Sequence, residues 1–207
     1  MQSTRNIYAE SITAGIMVGV GGTIYLSAPD KTVGAVFFAI GLLTICIYSL
    51  KLYTGAIGYL LNDRDTPWLH RLGRGAAIWI GNFLGASTYG VMLKMAKPEL
   101  AAKAAAMCDI KLTQSLPYNL FMGFMCGMLM YLAVDIYKKQ SGFGRFLGIL
   151  FAVPVFILSG FEHSIANMFY FAVGLGRVVP TPEVWGFLLT VTAANTFGAW
   201  FLATQID

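Results

Sequence analysis

An all-α integral membrane protein with six transmembrane helices is predicted by three observations. The chain is 57% hydrophobic and 12% charged with a mean hydropathy of +0.67, whereas a soluble domain carries roughly 25% charged residues. The apolar residues gather into six stretches, near 9–28, 33–61, 74–95, 116–137, 146–174 and 183–204, each long enough for the ~20 residues of a spanning helix. A short motif of the third stretch, Asn82-Phe83-Leu84-Gly85-Ala86, is echoed in the sixth by Asn195-Thr196-Phe197-Gly198-Ala199, which predicts two related halves of about 1–95 and 116–207 inside a single transmembrane domain, 1–207.

The first stretch is interrupted by Gly15, Gly19, Gly21 and Gly22 and lacks a short apolar core ending in a small-residue cleavage site, so it is expected to stay as the first helix rather than be removed as a signal. The second runs far past ~20 residues and carries the polar cluster Ser49-Leu50-Lys51-Leu52-Tyr53-Thr54-Gly55 near its middle, which predicts a broken helix. Between the third and fourth stretches, residues 96–115 hold an alanine run suited to a short surface helix. In the fourth, Gly123 and Gly127 permit close helix approach. The fifth is again overlong and contains Ser159-Gly160-Phe161-Glu162-His163-Ser164-Ile165-Ala166-Asn167. An ionisable side chain near a bilayer centre costs ~3 kcal/mol and normally faces a cavity or a partner.

Three spans per half make the second copy enter from the opposite face, the inverted-repeat plan of many transporters, with Lys51 placed in its half as Glu162 is in the other. Broken helices are tolerated at membrane depth where they are buried in protein or line a cavity, and the N-termini of the half-helices then suit an anion.

Other chemistries find little support. Cys46 and Cys126 fall inside spans and Cys108 in a loop, which offers neither a disulfide framework nor a metal-ligand spacing. The formal charge of +4 comes from loops of mixed sign rather than a basic tract, arguing against a nucleic-acid surface. No metal, phosphate-loop or nucleophile-base motif points to an enzyme or a cofactor, and His70 beside Arg71 is expected to be a solvated loop residue. With both termini cytoplasmic, inner loops hold Arg5, Arg64, Arg71, Arg74, Lys138, Lys139 and Arg145, and outer loops hold Lys31, Lys94, Lys97, Lys103, Lys111 and Arg177. Seven against six leaves the orientation open.

Gly160-Phe161-Glu162-His163-Ser164-Ile165-Ala166-Asn167-Met168-Phe169 resembles the fifth-helix signature of the formate/nitrite transporter family, and Leu52-Tyr53-Thr54-Gly55 is similar to its second-helix loop. Gly81-Asn82 and Asn195 fit as well, and the likeness covers nearly the whole chain. The resemblance implies an aquaporin-like six-helix protomer, a homopentamer in the inner membrane with one pore per protomer, and passage of small monovalent weak-acid anions across the lipid bilayer. Formate is expected first and nitrite second, with hydrosulfide, acetate and lactate open. It further implies a cytoplasmic constriction of Phe38, Leu42 and Phe156, an outer one of Leu52, Tyr53 and Met130, and His163 and Thr54 between them. Departures from the family pattern are Lys51 for Asp or Glu, Tyr53 for Phe, Gly127 for Asn, and a missing or shortened amphipathic N-terminal helix.

The residues admit plainer roles beside these. His163 can bond backbone freed by the helix break, or it can offer an anion a hydrogen bond or a proton. Lys51 and Glu162 are expected to pair across the repeat or between subunits, the alternative being that Lys51 lends positive potential to the path. Asn82, Asn167 and Asn195 are expected to satisfy broken-helix backbone. A neutral-solute channel for water or glycerol is the competing class, disfavoured by a titratable centre.

Overall fold

The computed structural model describes residues 6–206, all of whose regular structure is helical; Arg5 lies outside the described residues. In chain order the helices are α1 (Ile7–Ser27), α2 (Lys31–Phe38), α3 (Ile40–Ile47), α4 (Tyr53–Asn62), α5 (Trp68–Ala96), α6 (Pro98–Leu112), α7 (Leu116–Lys139), α8 (Gly144–Leu158), α9 (Ser164–Leu175) and α10 (Pro182–Ile206). By length and composition α1, α5, α7 and α10 are each able to cross a membrane. The second and fifth apolar stretches are divided into shorter pieces, α2, α3 and α4 in one and α8 and α9 in the other.

Both breaks are built alike. Helix α3 stops where Ser49 turns into the left-handed region at φ 55, and α8 where Gly160 does so at φ 70. In each the next amide reaches back five residues, from Leu50 to the Ile45 carbonyl and from Phe161 to the Phe156 carbonyl, both at 2.9 Å. These bonds close the Schellman motif that ends a helix and turns the chain away. Glycine adopts that conformation freely, whereas Ser49 does so against its Cβ.

The chain that follows each break is held by one buried asparagine. Asn82 of α5 donates to the Lys51 carbonyl (2.8 Å) and the Ser11 carbonyl of α1 (2.7 Å), and accepts from the Tyr53 amide (2.8 Å). Asn195 of α10 donates to the Glu162 carbonyl (2.8 Å) and the Gly123 carbonyl of α7 (2.7 Å), and accepts from the Ser164 amide (2.9 Å). Both side chains are fully buried, so each amide spends two donors and an acceptor on backbone that no water reaches.

Glycines let the long helices come close enough for this. A Cβ on Gly85 would meet the Ile12 carbonyl, and one on Gly198 the Phe124 carbonyl; likewise Gly15 faces the Asn82 carbonyl and Gly127 the Asn195 carbonyl. The α1–α5 contact of one half is thus repeated as the α7–α10 contact of the other. Gly127, a departure from the family pattern, is there because a side chain would drive α7 off α10.

Helix α6 does not lie loose on the surface as an exposed loop segment would. Leu100, Ala101, Ala104 and Cys108 are buried, and a Cβ on Gly174 of α9 would sit 3.0 Å from the Ala105 backbone. The expectation that Cys108 sits in a loop is therefore corrected: it is a core residue of α6, since the alanine run makes a face flat enough to pack. His70 is likewise on the first turn of α5, though exposed as expected. Lys103 of α6 donates to the Leu26 carbonyl at 3.2 Å, so α6 covers the end of the bundle where α1 finishes. The start of α1, the end of α10 and the connections at 63–67 and 140–143 lie at the other.

Gly198→Ala is expected to destabilise the solubilised protein by roughly 2 kcal/mol, because a methyl group enters a backbone contact that cannot yield. Ser49→Gly is expected to stabilise it by about 0.5–1 kcal/mol through relief at a positive φ. Thermal unfolding of both variants beside the parent checks the pair of signs.

Candidate functional site

Half-helices α4 and α9 begin at the two breaks, and their first residues bring His163 and Thr54 together. His163 is the N-cap of α9, its Nδ1 accepting the Ala166 amide at 3.0 Å. A ring nitrogen that accepts carries no proton, so in the neutral ring the proton sits on Nε2. Nε2 lies 3.0 Å from the Thr54 hydroxyl oxygen and donates to it. Both residues are buried, Thr54 completely. The corresponding N-cap of α4 is Leu52, which supplies no side-chain cap. The repeat is symmetric in backbone and asymmetric in chemistry.

Phe156 stacks against the imidazole with centroids 5.6 Å apart, and Phe38 meets Phe156 edge-on at 5.9 Å. On that side a cavity of about 220 Å³ is lined by Phe38, Phe156, Glu162, His163, Asn167 and Lys111 among others. A second cavity of about 640 Å³ opens at the end where α1 starts and α10 finishes and reaches Leu52 and Lys51. Leu42, Met130 and Thr54 are buried and line neither cavity, and Tyr53 turns its hydroxyl to Thr196 of α10 at 2.8 Å.

Three expectations are corrected by these positions. First, Lys51 and Glu162 do not pair across the repeat within the chain, because the two breaks turn their side chains to different ends of the bundle. Lys51 Nζ lies 3.8 Å from Glu10 of α1 and donates to the Ser49 carbonyl at 3.3 Å, while Glu162 accepts from Lys111 of α6 at 2.6 Å. Second, among the described residues the Asn167 side chain serves no backbone group: its amide donates to Glu162 Oε2 at 2.9 Å. Third, Phe38 and Phe156 border the cavity on the α6 side, opposite the start of α1 and the end of α10. With cytoplasmic termini they stand at the outer mouth and Leu52 at the inner one, the reverse of the sides first assigned, because α2 descends from the α6 end and α4 continues away from it.

Lys111 is the residue of this site that sequence reasoning missed. It was counted only among loop charges, and the one signal for it was that a carboxylate as buried as Glu162 requires a cation. On the terminal side, the Thr66 hydroxyl and the Asp65 and Thr66 amides hold the Asp63 carboxyl below the usual carboxylate range, so it is ionised at neutral pH.

The sequence profile of the formate/nitrite transporter family matches residues 1–206. The chain belongs to the formate/nitrite transporter family. It is 24% identical to the formate channel FocB of Escherichia coli (strain K12), over 87% of this chain and 71% of that protein. A probable formate transporter of Methanothermobacter thermautotrophicus is 29% identical, over 93% and 78%, and the nitrite transporter NirC of Escherichia coli (strain K12) 27%, over 94% and 80%. Among solved structures, an FNT family ion channel superposes with a TM-score of 0.88 at 24% identity, covering 96% of this chain and 88% of that one. A pentameric formate channel with formate bound gives 0.83 at 22%, over 96% and 94%. Family membership makes the protein a transporter rather than an enzyme, and its apolar helices make it a multi-pass membrane protein.

Lys111→Met leaves Glu162 with Asn167 alone and is expected to cost about 3 kcal/mol, the penalty of a buried charge without its partner. Adding Glu162→Gln to that variant is expected to return part of the loss. Denaturant unfolding of the two single variants and the double gives the coupling, and strict additivity would contradict the pairing.

Proposed function

We propose that the chain forms a channel for small monovalent anions of weak acids, formate first and nitrite second, in an aquaporin-like protomer of six spans. Helices α2 to α4 act as one broken span and α8 with α9 as another. Five such protomers make a homopentamer in the inner membrane. The observation that carries this reading is the Thr54–His163 hydrogen bond, set between two cavities at the start of two half-helices. Family membership and relatives named as formate channels and nitrite transporters support it.

A carboxylate-sized anion that leaves water for an apolar constriction loses hydration which Phe38, Phe156 and Leu52 cannot replace. His163 answers this with its Nε2–H, the one donor on the ring that no backbone group has claimed. An arriving anion competes with Thr54 for that hydrogen and holds it as a hydrogen bond; an anion that crosses as the neutral acid takes its proton from water, because loss of Nε2–H from the neutral ring would leave an imidazolate. Thr54 keeps the hydrogen occupied between passages. Asn82 and Asn195 hold the two half-helices at the separation that the exchange requires, and Glu162, Lys111 and Asn167 keep the α6-side mouth electrically balanced.

The test is flux of formate, nitrite, hydrosulfide, acetate and lactate into proteoliposomes across about pH 5–8, the range that spans imidazole titration. One anion is expected to dominate and to lose roughly tenfold or more in His163→Ala, the scale of a lost charge-assisted hydrogen bond. Thr54→Val is expected to reduce the rate less, since the donor survives. Passage of glycerol or water with no anion flux would overturn the reading in favour of a neutral-solute channel.

A further inference from the structure

Where the family pattern has phenylalanine this chain has Tyr53, and the added hydroxyl is engaged. It lies 2.8 Å from Thr196 Oγ1 of α10. Thr196 spends its own hydroxyl hydrogen on the Thr192 carbonyl at 2.7 Å, so the tyrosine donates and the threonine oxygen accepts. The receiving turn of α10 is itself fixed to α5, because Trp79 Nε1 donates to Thr192 Oγ1 at 3.2 Å.

The first residue of α4 is therefore attached at two points, by its amide to Asn82 Oδ1 of α5 at 2.8 Å and by its hydroxyl to α10. A half-helix held at one point can pivot about it; held from two helices it cannot. The N-cap Leu52 adds no side-chain bond, and the close approach of α4 to α10 comes further along, where a Cβ on Gly58 would be 2.9 Å from the Ala199 carbonyl. The contacts then close a ring on the site. Thr54 follows Tyr53, Tyr53 bonds Thr196, and Thr196 follows Asn195, whose Oδ1 accepts the Ser164 amide at 2.9 Å. Ser164 follows His163, whose Nε2 is 3.0 Å from the Thr54 hydroxyl. Of the three hydrogen bonds in this ring, the one made by Tyr53 is the one a phenylalanine removes.

We propose that Tyr53 is a positioning residue: through Thr196 it holds Thr54 against the Nε2–H of His163, and so sets how firmly that hydrogen is kept from an arriving anion. Tyr53 lines neither cavity, so it acts through Thr54 rather than on the anion. Loss of its hydroxyl lets the first turn of α4 shift, lengthens the Thr54–His163 bond and leaves the imidazole donor easier to take. The substitution isolates this effect, since Thr196 keeps its bond to the Thr192 carbonyl and neither partner of the pair is left with a stranded donor. The placement stands on the hydrogen bonds alone; its effect on flux rests on the proposed channel function.

The test observes the Nε2–H of His163 by ¹⁵N–¹H spectroscopy of the full chain in a His70→Gln background, where it belongs to the one remaining imidazole. Tyr53→Phe is expected to move that proton upfield and to speed its exchange with water about fivefold or more, the scale of one net hydrogen bond. Thr196→Ser, which keeps the acceptor, is expected to retain the parent shift and exchange rate. Should Tyr53→Phe fail to fold, Thr196→Ala removes the same bond from the other side and is expected to give the same change. In proteoliposomes the apparent KM for formate is expected to fall by roughly the same factor in Tyr53→Phe and to stay at the parent value in Thr196→Ser. An Nε2–H unchanged by loss of the bond, or altered equally in Thr196→Ser, would overturn the positioning role whatever the protein transports. A shifted proton with an unaltered KM in a protein that passes formate would overturn its consequence for the anion. A shifted proton in a protein that passes no anion would leave the positioning standing and remove the channel reading.

Discussion

A helix broken in the middle of an apolar bundle leaves backbone donors and acceptors that no water reaches, and every functional feature of this protein depends on how they are satisfied. The unfavourable energy of several such groups exceeds the stability of many domains. Two asparagines meet the demand, Asn82 at the first break and Asn195 at the second, each tying the carbonyl before a half-helix, the amide at its start and the carbonyl of a long helix into one buried cluster. The glycine contacts at Gly85 and Gly198 exist to let those carbonyls come within reach. Without the clamps there would be no fixed half-helix N-termini and no place for a site between them.

Repetition supplies the scaffold, and its violation supplies the chemistry. Position for position, Leu52 and His163 are equivalent N-caps, yet only the imidazole satisfies its own helix and presents a second nitrogen to the opposite half. Lys51 and Glu162 are equivalent in backbone and opposite in charge, and each has its own partner, Glu10 in one case and Lys111 in the other. In the proposed channel the centre is thereby spared a salt bridge that would tie the two halves together across the path of the anion.

Much of this was legible in the residues. Overlong apolar stretches with polar centres announced the breaks, and the echo around Asn82 and Asn195 announced the two halves, because hydropathy and small-residue spacing are local properties. Partner choice was not local. Nothing in the segment 96–115 tells that α6 folds back to lay Lys111 against a carboxylate more than fifty positions away in effect but adjacent in space, so pairing Lys51 with Glu162 was the natural reading of two lone charges. Which side of the bundle Phe38 and Phe156 occupy was hidden for the same reason: it follows from chain direction through a broken span, and not from the identity of either ring.

The central claim is that His163 stands as a neutral ring protonated on Nε2, pinned through Nδ1 by the Ala166 amide and aimed at Thr54. The chain has two histidines, so His70→Gln leaves one imidazole to observe. Long-range ¹⁵N–¹H correlation spectroscopy of that variant near neutral pH reads the tautomer directly. The account predicts a protonated Nε2 and an unprotonated, hydrogen-bonded Nδ1; a proton on Nδ1, with Nε2 bare, would contradict it.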